Sequence, residues 1–292
     1  MSPLHIPFCI SLFAYPSLHI PYVVAIKSTR ARTHTHTHTH THTHMTDNVM
    51  HIKKFKRACE SGDIDTVRRL FEDQCITTDD ARYEDNWALR WACAYGRLEV
   101  VRYLIETVRL DVDDARSEDN HALRWACARG KLGVVRYLIE EVGFNVNDVR
   151  IDKNWALRQA CVYGRLDVVR YLIETLGLTV EDARDNNNYA FRKTCGSGRL
   201  EVVRYLIEEV GLTVEDARSE NNEALLWACI LGRLEVVDYL VNNLNIPLDD
   251  ILCIIKELEI MGKERINFRP TAKECITILH CALPYPKSAA DF

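Results

Sequence analysis

The segment WALRWACAYGRLEVVRYLIE, residues 87–106, crowds Trp87, Trp91, Tyr95 and Tyr103 with Arg90, Arg97 and Arg102 around a single cysteine, Cys93. Such a mixture reads as reactive chemistry or as the cement of a fold until its recurrence is checked. It recurs: ALRWACARGKLGVVRYLIE starts at Ala122, ALRQACVYGRLDVVRYLIE at Ala156, AFRKTCGSGRLEVVRYLIE at Ala190 and ALLWACILGRLEVVDYLV at Ala224. Each start lies 34 residues after the last, and five units spanning 83–252 align without a gap. A fixed period of this length marks a repeat architecture, in which a unit buries its apolar face only against its neighbours. A degenerate unit, KKFKRACESGDIDTVRRLFEDQCITTDDAR (53–82), precedes them in register at Ala58, Cys59 and Gly62.

Within a unit the apolar spacing predicts two helices. The first runs from about Trp87 to Tyr95, with Asn86 placed to cap its first-turn amides, Leu89, Ala92 and Cys93 as its apolar stripe, and Gly96 as its stop. The second begins near Leu98 and buries Leu98, Val101, Leu104, Ile105 and Val108, leaving Glu99, Arg102 and Glu106 outside for i,i+3 and i,i+4 pairing. Those pairs stabilise the helix by only about 0.2–0.5 kcal/mol each. Both helices fall short of the roughly 12–15 residues an isolated helix needs in water. Burial of each Val, Leu or Ile contributes roughly 1.5–3 kcal/mol, so stacking of units supplies the stability. Between units, LTVEDARDNNN (178–188) reads as a short β-like stretch followed by turn-forming residues.

The 11 cysteines follow the same period: Cys59, Cys93, Cys127, Cys161, Cys195 and Cys229 occupy one column. With no CxxC pair and no tight Cys/His cluster, they read as small buried hydrophobes one repeat apart, too distant for disulfides, in a cytoplasmic or other reducing intracellular compartment.

ALRWACAYGRLEVVRYLIE (88–106) resembles the ankyrin repeat, whose usual TPLHxAAxxGHxxVVxxLL aligns with Trp87-Ala88-Leu89-Arg90, Ala92-Cys93, Gly96-Arg97 and Val100-Val101. The resemblance covers about 53–252. Ala88 replaces the Pro, Arg90 and Arg97 replace the two His, and the connecting segment carries one extra residue; such variants resemble the ankyrin families of protists and giant viruses. The resemblance implies an all-α solenoid of stacked helix-turn-helix units with short hairpin loops. A tetratricopeptide array shares the period but needs two longer helices and its own Trp/Gly/Tyr pattern.

Comparing the units separates scaffold from variable surface. The variable columns are Trp87/His121/Trp155/Tyr189/Glu223, Trp91/Trp125/Gln159/Lys193/Trp227, Ala94/Ala128/Val162/Gly196/Ile230 and Tyr95/Arg129/Tyr163/Ser197/Leu231, which fall on one stripe of the first helix. The family resemblance implies that this stripe, with the hairpin tips near 83–85, lines the concave face where partners bind. Trp, Tyr and Arg dominate interface hot spots, so Trp87, Trp91, Tyr95, Trp125, Arg129, Trp155, Tyr163, Tyr189 and Lys193 are the candidate protein-binding residues. A second reading has Trp91, Trp125 and Trp227 fill gaps between units. Two arginine ladders accompany the stripe: Arg90, Arg124, Arg158 and Arg192, expected to hold loop carbonyls or carboxylates, and Arg82, Arg116, Arg150, Arg184 and Arg218, expected to form a charge network between adjacent units.

The chain's ends differ from the array. Residues 33–44 read THTHTHTHTHTH, a solvated low-complexity tract that offers at most weak Zn or Ni chelation. The segment before it is uncharged until Lys27, but Pro7, Pro16 and Pro21 interrupt it and no basic n-region precedes it. Residues 1–44 are therefore taken as a disordered or artefactual extension, with Met45 opening the functional part. In the fifth unit Leu226 stands where Arg stood and Ile230 and Leu231 enter the stripe, so the tail 253–292 is expected to fold over it as a cap or divergent repeat. A short docking motif there is the other reading.

Forty-two acidic against 37 basic residues give a formal charge of −5, and no basic stretch provides a footprint for phosphate backbones, so nucleic acid is not an expected partner. No membrane partner is expected unless residues 1–26 act as a signal or anchor. There is no GxSxG, P-loop, GxGxxG at a strand-helix junction or HExxH, and carboxylate pairs such as Asp113-Asp114 recur in every unit, so neither an enzyme nor a cofactor or metal site is expected. The expectation is a monomeric scaffold that binds a protein partner; the alternative is an adaptor, for example of a ubiquitin ligase, recruiting machinery through its C-terminal segment.

Overall fold

The computed structural model describes residues 41–263 and 272–282. The chain divides into two compact units, Met1–His42 and Thr43–Phe292, and the repeats belong to the second. The expectations for residues 1–40, 264–271 and 283–292 lie outside the described residues. Thr41–His44, the end of the Thr-His tract, open the helix Thr41–Ser61.

Every described element is helical. The first helices stack in sequence: Thr78–Tyr95 against Ser117–Ala128, that against Val146–Val162, then Val180–Ser197 and Ser219–Ile230. Their shared side carries the core: Leu89, Leu123, Leu157, Phe191 and Leu225 alternate with Cys93, Cys127, Cys161, Cys195 and Cys229, all removed from solvent and all free thiols. Small Ala and Cys at these positions let the helices approach closely. The second helices, such as Leu98–Arg102 and Leu200–Glu208, bury Val101, Leu104, Val203 and Leu206, while Leu98 and Ile105 are half-buried. In Tyr103–Thr107, Leu138–Val142 and Tyr171–Thr175 the second helix widens into a π-helical turn.

The connectors differ in detail from the sequence reading. Where a β-like stretch and a hairpin tip are expected, the chain makes one helical turn and then a left-handed turn. The helical turn starts at a reciprocal cap: Asp111 accepts from the Asp114 amide, and Asp114 accepts from the Asp111 amide at 3.0 Å. Thr77/Asp80, Asn145/Asp148, Thr179/Asp182 and Thr213/Asp216 repeat it. Two orphan donors satisfied in one motif outweigh the β preference of Leu-Thr-Val.

After that turn Glu84, Asp85 and Asn86 take φ of 52°, 54° and 59°. The same left-handed triplet recurs at Glu118–Asn120, Asp152–Asn154, Asn186–Asn188 and Glu220–Asn222. Asn and Asp tolerate this region better than other side chains. Asn86 is therefore the last residue of a left-handed turn, and its side-chain oxygen makes no hydrogen bond, so it is not the helix cap expected from sequence. The first arginine ladder secures these turns: Arg90 donates to the Glu84 carbonyl at 2.8 Å, Arg158 to the Asp152 carbonyl at 2.8 Å and Arg192 to the Asn187 carbonyl at 2.7 Å.

Neighbouring units are joined by three ladders. Arg82, Arg116, Arg150 and Arg184 each grip the aspartate 32 residues on, Asp114, Asp148, Asp182 and Asp216, with paired bonds of 2.8–3.1 Å. Arg218 reaches Asp250 at 2.7 Å. Tyr137, Tyr171, Tyr205 and Tyr239 donate hydroxyls to Glu106, Glu140, Glu174 and Glu208 at 2.7–3.0 Å. Arg97, Arg165 and Arg233 reach back 37 residues to the carbonyls of Glu60, Ala128 and Gly196. This last contact explains the glycine that ends each first helix. Gly130 has φ +71°, and a Cβ there would lie 2.7 Å from Cδ of Arg165.

The helices Leu248–Lys263 and Ala272–Ala282 pack on Ser219–Ile230 and Leu234–Asn243, burying Ile251, Ile254, Ile255, Leu258, Cys275 and Leu279. The first of them runs unbroken through the expected boundary at 252. Ile254, Ile255 and Lys256 occupy the register of the left-handed triplet. Isoleucine is β-branched and excluded from left-handed backbone, so the turn is replaced by continuous helix.

Candidate protein-binding stripe

The first helices carry Trp87, Trp91, Tyr95, Trp125, Arg129, Trp155, Tyr163, Tyr189 and Lys193 on a common half-buried surface. The i,i+4 spacing of a helix brings Trp87 to Trp91, ring centroids 5.6 Å apart, and Trp91 to Tyr95, 5.5 Å apart and stacked. Between units, Trp125 meets Trp155 at 5.7 Å. Cations thread the rings. Arg129 lies 4.5 Å from the Tyr95 centroid, 5.3 Å from Trp125 and 5.5 Å from Trp91; Arg124 lies 4.5 Å from Trp155, and Arg158 5.0 Å from Tyr189. Each such contact stabilises by roughly 0.5–1 kcal/mol at exposed sites and more when desolvated.

The expected residues thus fall into two sections. Trp87, Trp91, Tyr95, Trp125, Arg129 and Trp155 form one continuous aromatic-cationic surface. Tyr189 and Lys193 belong to a polar knot: Lys193 sits 5.8 Å over Tyr189 and 5.2 Å over Trp227 and pairs with Glu223 at 3.6 Å. Glu223 also pairs with Arg192 and accepts from the Trp227 indole at 2.7 Å. Burial, then the Arg192 charge, brings the Lys193 ammonium down to about 8. Tyr163 makes no ring or cation contact among the described residues. In the remaining variable column, Ala94, Ala128 and Gly196 are buried and only Val162 and Ile230 reach the half-exposed surface, so that column belongs mainly to the interface between units.

Two contributors were missed from sequence. Lys56, one repeat before Arg90, lies 4.8 Å over Trp87 and pairs with Glu84 at 2.5 Å. His121, in the Trp87 column, meets Trp125 at 5.7 Å with the rings tilted by 40°. Register points to both: Lys56 precedes the Arg90 ladder by one repeat, and His121 stands in the variable column of Trp87 and Trp155. Burial, followed by the charges of Arg90, Arg124 and Arg129, holds the His121 imidazole down to about 4.

Among the described residues no group of three or more His, Cys, Asp or Glu is placed to hold a metal ion, and no helix is long and apolar enough to cross a membrane. The column thiols are driven upward by burial, Cys161 to about 12, so they are poor nucleophiles.

Stacked helix pairs joined at a constant period and presenting one variable stripe define a helical repeat solenoid. Residues 89–154 match a family model described as ankyrin repeats in many copies, and residues 157–250 one described as ankyrin repeats in three copies. The chain belongs to the ankyrin repeat family, whose repeats serve as protein–protein interaction modules. Comparison with curated proteins gives no match.

Proposed function

We propose that the chain is a non-catalytic, monomeric scaffold that binds a partner protein through the aromatic-cationic stripe of its first helices, on the concave face of the array. The observation that carries this reading is the continuity of Trp87, Trp91, Tyr95, Arg129, Trp125 and Trp155: large rings held half-exposed by their neighbours, ready to bury area at little entropic cost. The buried, free cysteine column supports a reducing compartment. The tail acts as a cap, because the apolar faces of Leu248–Lys263 and Ala272–Ala282 are occupied by the fifth unit. That packing favours the scaffold over an adaptor with a recruiting tail.

The test is affinity purification from native cells with the full chain as bait, followed by binding of each captured protein to a Trp91→Ala/Trp155→Ala variant. A partner at least tenfold weaker on the variant, with circular dichroism unchanged, supports the reading. Undiminished binding by every captured protein rejects it.

A further inference from the structure

Nearly every cation along the first helices is already engaged. Lys56 pairs with Glu84, Arg124 with Asp152, and Lys193 with Glu223, while Arg90, Arg158 and Arg192 hold turn carbonyls. Arg129 differs. It has no ion pair or hydrogen bond to any described residue, and its guanidinium rests among Tyr95, Trp125 and Trp91; its Nε, like those of Arg90 and Arg158, is shielded from solvent without a partner. Aromatic rings fix the plane of a guanidinium but satisfy none of its five donors, so the fork is oriented and vacant.

The neighbourhood adds to this. Burial and the charges of Arg90, Arg124 and Arg129 act on His121; of these three arginines, Arg124 faces Asp152 at 3.2 Å and Arg90 is drawn by Glu118, Asp85 and Glu84, which leaves Arg129 as the one without an ion pair or hydrogen bond among the described residues. A half-buried guanidinium oriented by rings and lacking an ion pair complements a planar carboxylate, which accepts two parallel N–H bonds.

We propose that Arg129, held by Trp91, Tyr95 and Trp125, is the receptor for a glutamate or aspartate side chain of an acidic, leucine-flanked partner segment. This rests on the stripe being the partner-binding surface. The carboxylate takes the vacant fork while flanking apolar side chains cover the exposed edges of Trp91 and Trp125.

The probe is a nonapeptide rotating glutamate, leucine and serine, compared with its counterpart in which every glutamate is glutamine, both titrated calorimetrically into the full chain. The expected result is at least tenfold tighter binding of the glutamate peptide, a preference erased in Arg129→Gln and kept in Arg136→Gln, whose arginine pairs with Glu140 on a second helix. Peptide binding should also raise the His121 titration followed by NMR, because the incoming charge opposes the three arginines. Equal affinity for the two peptides, no measurable binding of the glutamate peptide, or an unchanged preference in Arg129→Gln overturns the assignment. So does displacement of the peptide by equimolar inorganic phosphate or a 20-nucleotide oligothymidylate, or a second copy of the chain occupying the surface in sedimentation. The two failures are distinguishable: a captured partner that loses affinity on Trp91→Ala/Trp155→Ala but not on Arg129→Gln leaves the stripe standing and removes only the carboxylate.

Discussion

Arg116 holds Asp148 with both prongs of its guanidinium, Nε to Oδ1 at 2.9 Å and Nη2 to Oδ2 at 3.0 Å. The same carboxylate caps its own helical turn by accepting the Asn145 amide at 2.8 Å, and it accepts Nδ2 of Asn120 at 3.1 Å. One buried aspartate therefore starts a turn, ties two units together and fixes the last residue of a left-handed triplet.

Replacing Asp148 with Ala removes all four bonds and strands Nε of Arg116 and the Asn145 amide, while Nδ2 of Asn120 keeps the backbone carbonyl at position 148 and Nη2 of Arg116 keeps the Gly143 carbonyl. With each stranded donor costing about 1 kcal/mol or more and the arginine able to swing into water, a loss of about 2–3 kcal/mol is expected in urea unfolding. The exposed i,i+4 pair Arg102–Glu106 provides the contrast: Glu106→Gln retains an acceptor for Tyr137 and should change stability by less than about 0.5 kcal/mol.

Stability should fall in two stages as the solution is acidified. His121 titrates at about 4 in the folded chain against an ordinary value of 6.5, so between these values the unfolded chain binds a proton that the folded chain does not. Stability is thus lost as pH drops through this window, by about 2 kcal/mol once the partial exposure of the ring is allowed for. Below it the aspartate column takes over. Burial raises Asp114, Asp148, Asp182 and Asp216, but their arginines and the capping amides outweigh it and hold them below the usual carboxylate range. Their contribution is complete above about pH 4 and lost as pH falls through the lowered values. His121→Gln should flatten the first stage and leave the second, as measured by urea midpoints across pH 3–7.

Asp119 has φ 53° with an exposed side chain that makes no bond to the described residues. Asp119→Val should destabilise by about 1–2 kcal/mol through backbone strain alone, whereas Asp119→Gly should be neutral or slightly stabilising. Opposite signs at one exposed site, read by thermal unfolding, test the left-handed turn directly.

Gly130→Ala combines a forbidden backbone region with a collision at Arg165, whose Nε bonds the Ala128 carbonyl at 3.2 Å. About 2 kcal/mol should be lost. At Gly143, also at positive φ but with open space around it, alanine should cost less, since strain is the only term.

The period and the core were legible in the sequence because apolar side chains report burial directly: Leu89, Cys93, Val101 and Leu104 are all solvent-free. The connectors were legible only in part. Thr179-Val-Glu-Asp182 carries a capping signature, but the β-branched residues around it also suit a strand, and only the reciprocal bonds decide between them. Asn86 was read as a cap because asparagine serves caps and left-handed turns for the same reason, a short side chain that bonds locally. The stripe was visible as columns. What the columns could not show is who pairs with whom: Glu223 claims Lys193 from the next unit while Arg129 has no claimant, and such partnerships depend on the distance between stacked helices rather than on residue type.

The constant offsets of the three ladders bear on ancestry. Arginine to aspartate spans 32 residues, tyrosine to glutamate 31, and arginine back to carbonyl 37, and all recur at a 34-residue step. A gene segment of that length, or of a whole multiple of it, duplicated in tandem keeps the register of each joint, whereas a duplication of a length that is no multiple of 34 residues would sever all three at once. Growth by whole blocks keeps every seam closed, and the VVRYLIE shared by residues 100–106, 134–140, 168–174 and 202–208 is what such growth leaves behind.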